Sequence, residues 1–140
     1  MREILFRGKQ KYNNEWIYGS LVRLGKESFS DPDRYGITDK GIPVGNMNVC
    51  YNFQVDEVIP ETVGQYTGLT DKNGLKIFEF DICKYGDYIV VVDFDEQDSR
   101  FTFVVDKNVK ADFNYIQEKD LKVIGNIFDN PELLKGVTEQ

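Results

Sequence analysis

A chain of 140 residues with 41% apolar side chains suits one compact domain, or two small lobes sharing a core, and is long enough to fold without disulfides or metals. Its net charge of −7 argues against tight, non-specific nucleic-acid binding driven by phosphate neutralisation. The complete absence of histidine excludes Ser-His-Asp and Cys-His catalysis, as well as any His-ligated iron or zinc.

In chain order, Ile4-Leu5-Phe6 reads as a short strand ended by Gly8 and a polar run. Asn13-Asn14 is a turn, because Asn tolerates left-handed backbone, and Trp16 to Val22 returns as the second strand of an opening hairpin. The polar stretch from Gly25 to Asp33 is a loop. Tyr35 to Thr38 is a short strand, and Gly41 to Asn48 is irregular. Val49 to Ile59 alternates apolar and polar residues with the period of a half-buried strand, which Pro60 ends. Thr62 to Leu69 and Leu75 to Lys84 form a hairpin about Asp71-Lys72-Asn73-Gly74, where Asn-Gly is a strong turn signal. A second hairpin runs from Tyr88 to Phe94 and from Phe101 to Val105. Phe113 to Ile116 is a strand or a helical turn, and Leu121 to Phe128 is a last strand. Asn130-Pro131 then opens a short C-terminal helix, with Pro at the first helical position.

The fold class is therefore mainly β. The expected organisation is an N-terminal β-hairpin lobe over residues 1–59 and a small SH3-like β-barrel over residues 60–134, with a short C-terminal helix and a frayed tail over residues 135–140. The N-terminal lobe is also a candidate oligomerisation region. Strands at short spacing after Pro60 suit a meander that closes on itself.

Cys50 and Cys83 lack CxxC spacing and do not read as zinc ligands; one disulfide between them is open, with two buried thiols the favoured reading. No signal peptide is visible at the start. The longest aliphatic run, Ile89 to Val92, falls far short of the ~20 residues of a membrane span. The expected location is the cytoplasm, with no membrane association.

Four carboxylates crowd into Asp93-Phe94-Asp95-Glu96-Gln97-Asp98. As a calcium loop the segment fails, because the sixth position is Asp98 rather than Gly and the twelfth is Val104. It reads as a solvated hairpin tip. Glu79 and Asp81, two apart on one expected strand, share a face and repel unless a base or water intervenes. A hydrogen-bonding role for Asp81 at a strand bend is favoured over acid-base catalysis. Gly64, Gly68 and Gly74 lack the lysine and following helix of a phosphate loop and serve turns and close strand packing.

The charge is uneven. Residues 1–26 carry six basic and two acidic groups, whereas the other 114 carry 11 basic and 22 acidic ones. Arg7, Lys9, Lys11, Tyr12, Trp16 and Arg23 interleave bases with aromatic rings, a composition with which small β modules bind single strands or an anionic partner. No catalytic, metal or cofactor residues emerge.

Several blocks, in order, resemble the YopX family of phage and prophage proteins. They begin with Met1 to Lys9 and Trp16 to Leu21. The strongest runs from Val58 to Leu69 through Pro60-Glu61-Thr62-Val63-Gly64-Gln65-Tyr66, and continues with Asp71 to Gly74 and Ile77-Phe78-Glu79. Val123 to Phe128 and Asn130 to Leu134 close the match. The family usually reads Glu-Gly-Asp-Ile where this chain has Glu79-Phe80-Asp81-Ile82, and Phe cannot reach glycine's conformations cheaply. The resemblance implies a mainly β fold, phage or prophage origin and self-association, and it brings no catalytic residues. The function expected is that of a homo-oligomerising binding or assembly module without catalysis, with a host or phage protein as a further partner. The alternative is a nucleic-acid-binding module that uses the basic N-terminal lobe.

Overall fold

Strands dominate the computed structural model, which describes residues 2–39, 54–106, 109–112 and 118–134. The expectations for Gly41 to Asn48, Cys50, Phe113 to Ile116 and the tail lie outside the described residues, as does the first part of the strand expected over Val49 to Ile59. The chain divides into two compact units, Met1–Gln65 and Tyr66–Gln140.

In the first unit, β1 (Phe6–Lys9), β2 (Trp16–Gly25), β3 (Arg34–Thr38) and β4 (Asp56–Val58) pair antiparallel in the order β4-β3-β2-β1. Asn14 makes the first turn possible at φ +59°, donating its N–H to the Gln10 carbonyl at 3.0 Å. The sheet curls until β4 returns to the tail of β1. Ile59 N–H donates to the Lys9 carbonyl at 2.8 Å, and Lys11 N–H to the Glu57 carbonyl at 2.9 Å. Ile37 and Val58 are fully buried within this curl. Val58 packs where a Cβ on Gly8 would stand, 3.2 Å away. Gly19 is required for a different reason: a Cβ there would collide with the Thr38 carbonyl oxygen. Pro60–Thr62 forms one 3-10 turn, and the Thr62 hydroxyl accepts the Lys9 N–H at 2.9 Å.

Strand β5 (Gly64–Thr70) crosses the unit boundary; its first two residues pair with Arg7 and Phe6 of β1. Its later part pairs with β6 (Lys76–Phe78), with a register shift between Tyr66 and Thr70 where Gly68 takes φ +91°. The rest of the second unit is an antiparallel sheet of β7 (Asp81–Tyr85), β8 (Tyr88–Asp95), β9 (Arg100–Asp106), β10 (Val109–Asp112) and β11 (Leu121–Asn126), in the order β10-β9-β8-β7-β11. Ile77, Cys83, Val90, Val92, Phe103 and Leu121 form its core.

Three expectations need correction. The second unit is not a closed SH3-like barrel: among the described residues β10 and β11 remain the two ends of an open sheet. The expected C-terminal helix is a single 3-10 turn, Pro131–Leu134. It packs down because the Asn130 side chain sits against Gly125 and accepts the Asn126 N–H at 3.3 Å. Finally, the strand expected from Leu75 to Lys84 breaks at Glu79-Phe80 into β6 and β7. Phe80 adopts φ +74°, outside the extended region that a residue with a Cβ occupies in a regular strand.

The Asp71 turn also closes differently from a two-residue Asn-Gly hairpin. Only Gly74 has positive φ, and the Asp71 carboxylate does the closing. One of its oxygens accepts N–H bonds from Asn73 at 2.8 Å and Leu75 at 2.9 Å, and the other accepts from Val123 of β11 at 2.9 Å. Burial opposes the charge of Asp71, but the Val123, Leu75 and Asn73 donors and nearby Lys72 outweigh it, so its pKa lies below the ordinary value.

Candidate functional site

The β1–β2 register sets Arg7 opposite Tyr18 and Lys9 opposite Trp16, so these four side chains share one face. The Arg7 guanidinium carbon lies 4.5 Å from the Trp16 ring centroid, and the Lys9 ammonium lies 5.5 Å from it. Both separations fall within cation–π range. Arg7 is buried and Trp16 half-buried. The ring is therefore already engaged by the chain's own cations.

The other three residues of the expected basic-aromatic set lie elsewhere. Lys11 pairs with Glu57 at 3.3 Å, and Glu57 also takes Arg34 at 2.7 Å. The Arg34 hydrogen bond, opposed by burial and reinforced by Lys11, holds the Glu57 carboxyl below its usual pKa. Tyr12 is exposed in the turn. Arg23 occupies an odd position of β2, on the opposite face from Trp16, and pairs with Asp33 at 3.0 Å. The structure thus brings Arg7, Lys9 and Trp16 together and places Lys11, Tyr12 and Arg23 apart from them.

Among the carboxylates, Asp81 is buried, and its Oδ2 accepts the Phe78 N–H at 2.8 Å across the strand break. Glu79 stands in the break itself, so the two do not form a same-face strand pair. Asp95 Oδ1 accepts the N–H groups of Gln97 and Asp98 at 3.0 and 3.4 Å, which closes the β8–β9 hairpin. The described residues hold no cluster of three or more potential metal ligands. Cys83 is a free thiol in the core. Burial, with smaller contributions from the Asp81 and Asp71 charges, pushes its pKa far up, so it is a poor nucleophile.

The second unit also contains a cleft with no signature in the sequence. About 560 Å³ in volume, it is lined by Lys72, Lys84, Lys119, Lys122, Tyr85, Gly86 and Asp120. Its residues come from the Asp71 turn, β7 and the 3-10 turn Glu118–Asp120 that leads into β11. Only strand register reveals the gathering, because Lys84 and Lys122 are direct cross-strand partners. In the first unit, Phe29 is entirely exposed in the β2–β3 loop. That loop is braced by the Arg34–Glu27 pair at 2.9 Å, the Arg23–Asp33 pair, and the Asp31 N–H to Ser28 carbonyl bond at 3.2 Å.

A family model described as YopX protein matches residues 5–135. No curated protein matches the chain. Among solved structures, the crystal structure of protein EF1440 from Enterococcus faecalis is similar, with a TM-score of 0.58 at 24% identity over 96% of this chain and 100% of that one. This likeness concerns fold alone.

Proposed function

This chain belongs to the YopX family, and from that premise we propose that it is a non-catalytic accessory protein of phage or prophage origin that works as a self-associating binding module. The observation that carries the reading is Phe29. A fully exposed phenyl ring on a loop braced by two ion pairs is pre-organised as an interface anchor, because little ordering entropy remains to be lost on contact. The occupant of that surface is a second copy. Residues 1–26 are basic and the remainder acidic, so the first segment of one copy complements the later part of another.

Size-exclusion chromatography with light scattering tests this reading. The wild type runs as a dimer or larger species that dissociates as salt rises, and Phe29→Ser runs as a monomer. A wild-type monomer at high protein concentration, independent of salt, would remove the proposal.

A further inference from the structure

From the lysine cleft of the second unit we infer a binding site for a chain of phosphate groups. Four lysines and one aspartate line it, in a protein whose residues beyond position 26 carry twice as many acids as bases. Among the described residues none of the four ammonium groups is in an ion pair, although Arg23, Arg34, Lys11 and Arg100 all are. The volume lies within the roughly 300–1,000 Å³ range of small-ligand pockets.

Two details argue for a built site rather than scattered surface charge. Lys84 and Lys122 stand directly opposite one another on β7 and β11, an arrangement in which like charges repel. An anion seated between them removes that repulsion. Lys72 is delivered to the same place by the Asp71 clamp, and its own N–H donates to the Leu121 carbonyl at 3.0 Å, one residue before Lys122. The turn is thereby fixed against β11 with its lysine at the cleft.

The recognition chemistry follows from the donors. Each ammonium offers three N–H groups on a flexible stem and binds phosphate as a point charge, without the fixed fork of arginine. Such a set favours an extended run of negative charges over one rigid anion. The half-buried Tyr85 adds an apolar wall. Gly86, at φ +59°, also lines the cleft and leaves open space where a Cβ would stand. Two sources carry this chemistry: a soluble oligophosphate, and the backbone of a nucleic acid.

Calorimetry at low ionic strength with inorganic tripolyphosphate, and fluorescence anisotropy with a labelled single-stranded oligonucleotide, separate the two. The intact chain binds at least one probe. Lys84→Gln/Lys122→Gln, whose side chains are exposed and whose removal relieves repulsion, stays folded by circular dichroism and weakens that binding by about tenfold or more. The charge-matched variant Lys76→Gln/Arg100→Gln, outside both the cleft lining and residues 1–26, binds like the wild type. Tripolyphosphate binding assigns the site to soluble oligophosphates; oligonucleotide binding alone assigns it to nucleic-acid backbone. Failure of both probes to bind, or equal losses in the two double variants, overturns the inference. Because none of these readouts reports oligomeric state, its failure is separate from that of the self-association reading.

Discussion

Phe80 is held in a conformation that its side chain opposes. At φ +74° an L-residue with a Cβ is strained by about 1–2 kcal/mol. The backbone cannot relax, because Phe80 N–H donates to the Val92 carbonyl at 2.8 Å and its carbonyl accepts the Ile127 N–H at 3.1 Å. The ring offsets the strain by packing edge-on against Phe128, with centroids 5.4 Å apart at 78°. Replacing Phe80 with Ala removes the ring but keeps the Cβ. The loss is about 0.5–1.5 kcal/mol for the aromatic pair plus about 1 kcal/mol for the half-buried apolar surface, roughly 2 kcal/mol together. Replacing it with Gly removes the same ring and also the strain, at an unfolded-state entropy cost of about 0.5–1 kcal/mol. Phe80→Gly is therefore expected to be about 1 kcal/mol more stable than Phe80→Ala, reversing the order found at ordinary strand positions. Urea denaturation followed by tryptophan fluorescence and circular dichroism measures the difference, provided the slopes match. An alanine variant as stable as the glycine variant, or more so, would show that the φ value carries no strain.

Asp71→Asn removes the charge behind three backbone hydrogen bonds and is expected to cost about 2–3 kcal/mol. Because the folded pKa is depressed, the carboxylate's contribution is complete above its unfolded value, about 4, and disappears as pH falls through the folded value. The gap between wild type and variant should narrow below pH ~4 in denaturation curves; a constant gap refutes the linkage. Gly19→Ala forces a Cβ against the Thr38 carbonyl and should destabilise by about 2–3 kcal/mol; a neutral result in thermal melts contradicts the close approach. Thr102 is buried, with no hydrogen-bond partner for its hydroxyl among the described residues. Thr102→Val is expected to raise stability by about 1 kcal/mol, and a loss of similar size would reveal a bonded hydroxyl.

Local chemistry was legible in the sequence. Asn14 takes the left-handed conformation its residue type suggests, Asp95 closes the hairpin expected of its acidic run, and Asp81 bonds at a bend. The departure at Phe80 from the usual family glycine marks a real positive-φ position. Features set by register were not legible. Nothing in the spacing of Lys72, Lys84, Lys119 and Lys122 reveals that β7 and β11 pair, or that one turn docks beside them. The basic-aromatic set fails as a unit for the same reason. Alternation along β2 turns Arg23 away from Trp16, and the curl of β4 supplies Glu57 to Lys11. The open sheet escaped prediction because strand count constrains closure only when the pairing of the end strands is known.

The bond from Val123 N–H to the Asp71 carboxylate spans 52 positions. During synthesis, the turn at Asp71–Gly74 leaves the ribosome well before its partner strand exists, with a carboxylate whose third donor has not yet been made. The second unit therefore cannot complete itself progressively from its first hairpin onward. Its last strand is a closing element, and a chain interrupted before Val123 leaves Cys83 and the β7 edge uncovered for proteases and chaperones to recognise.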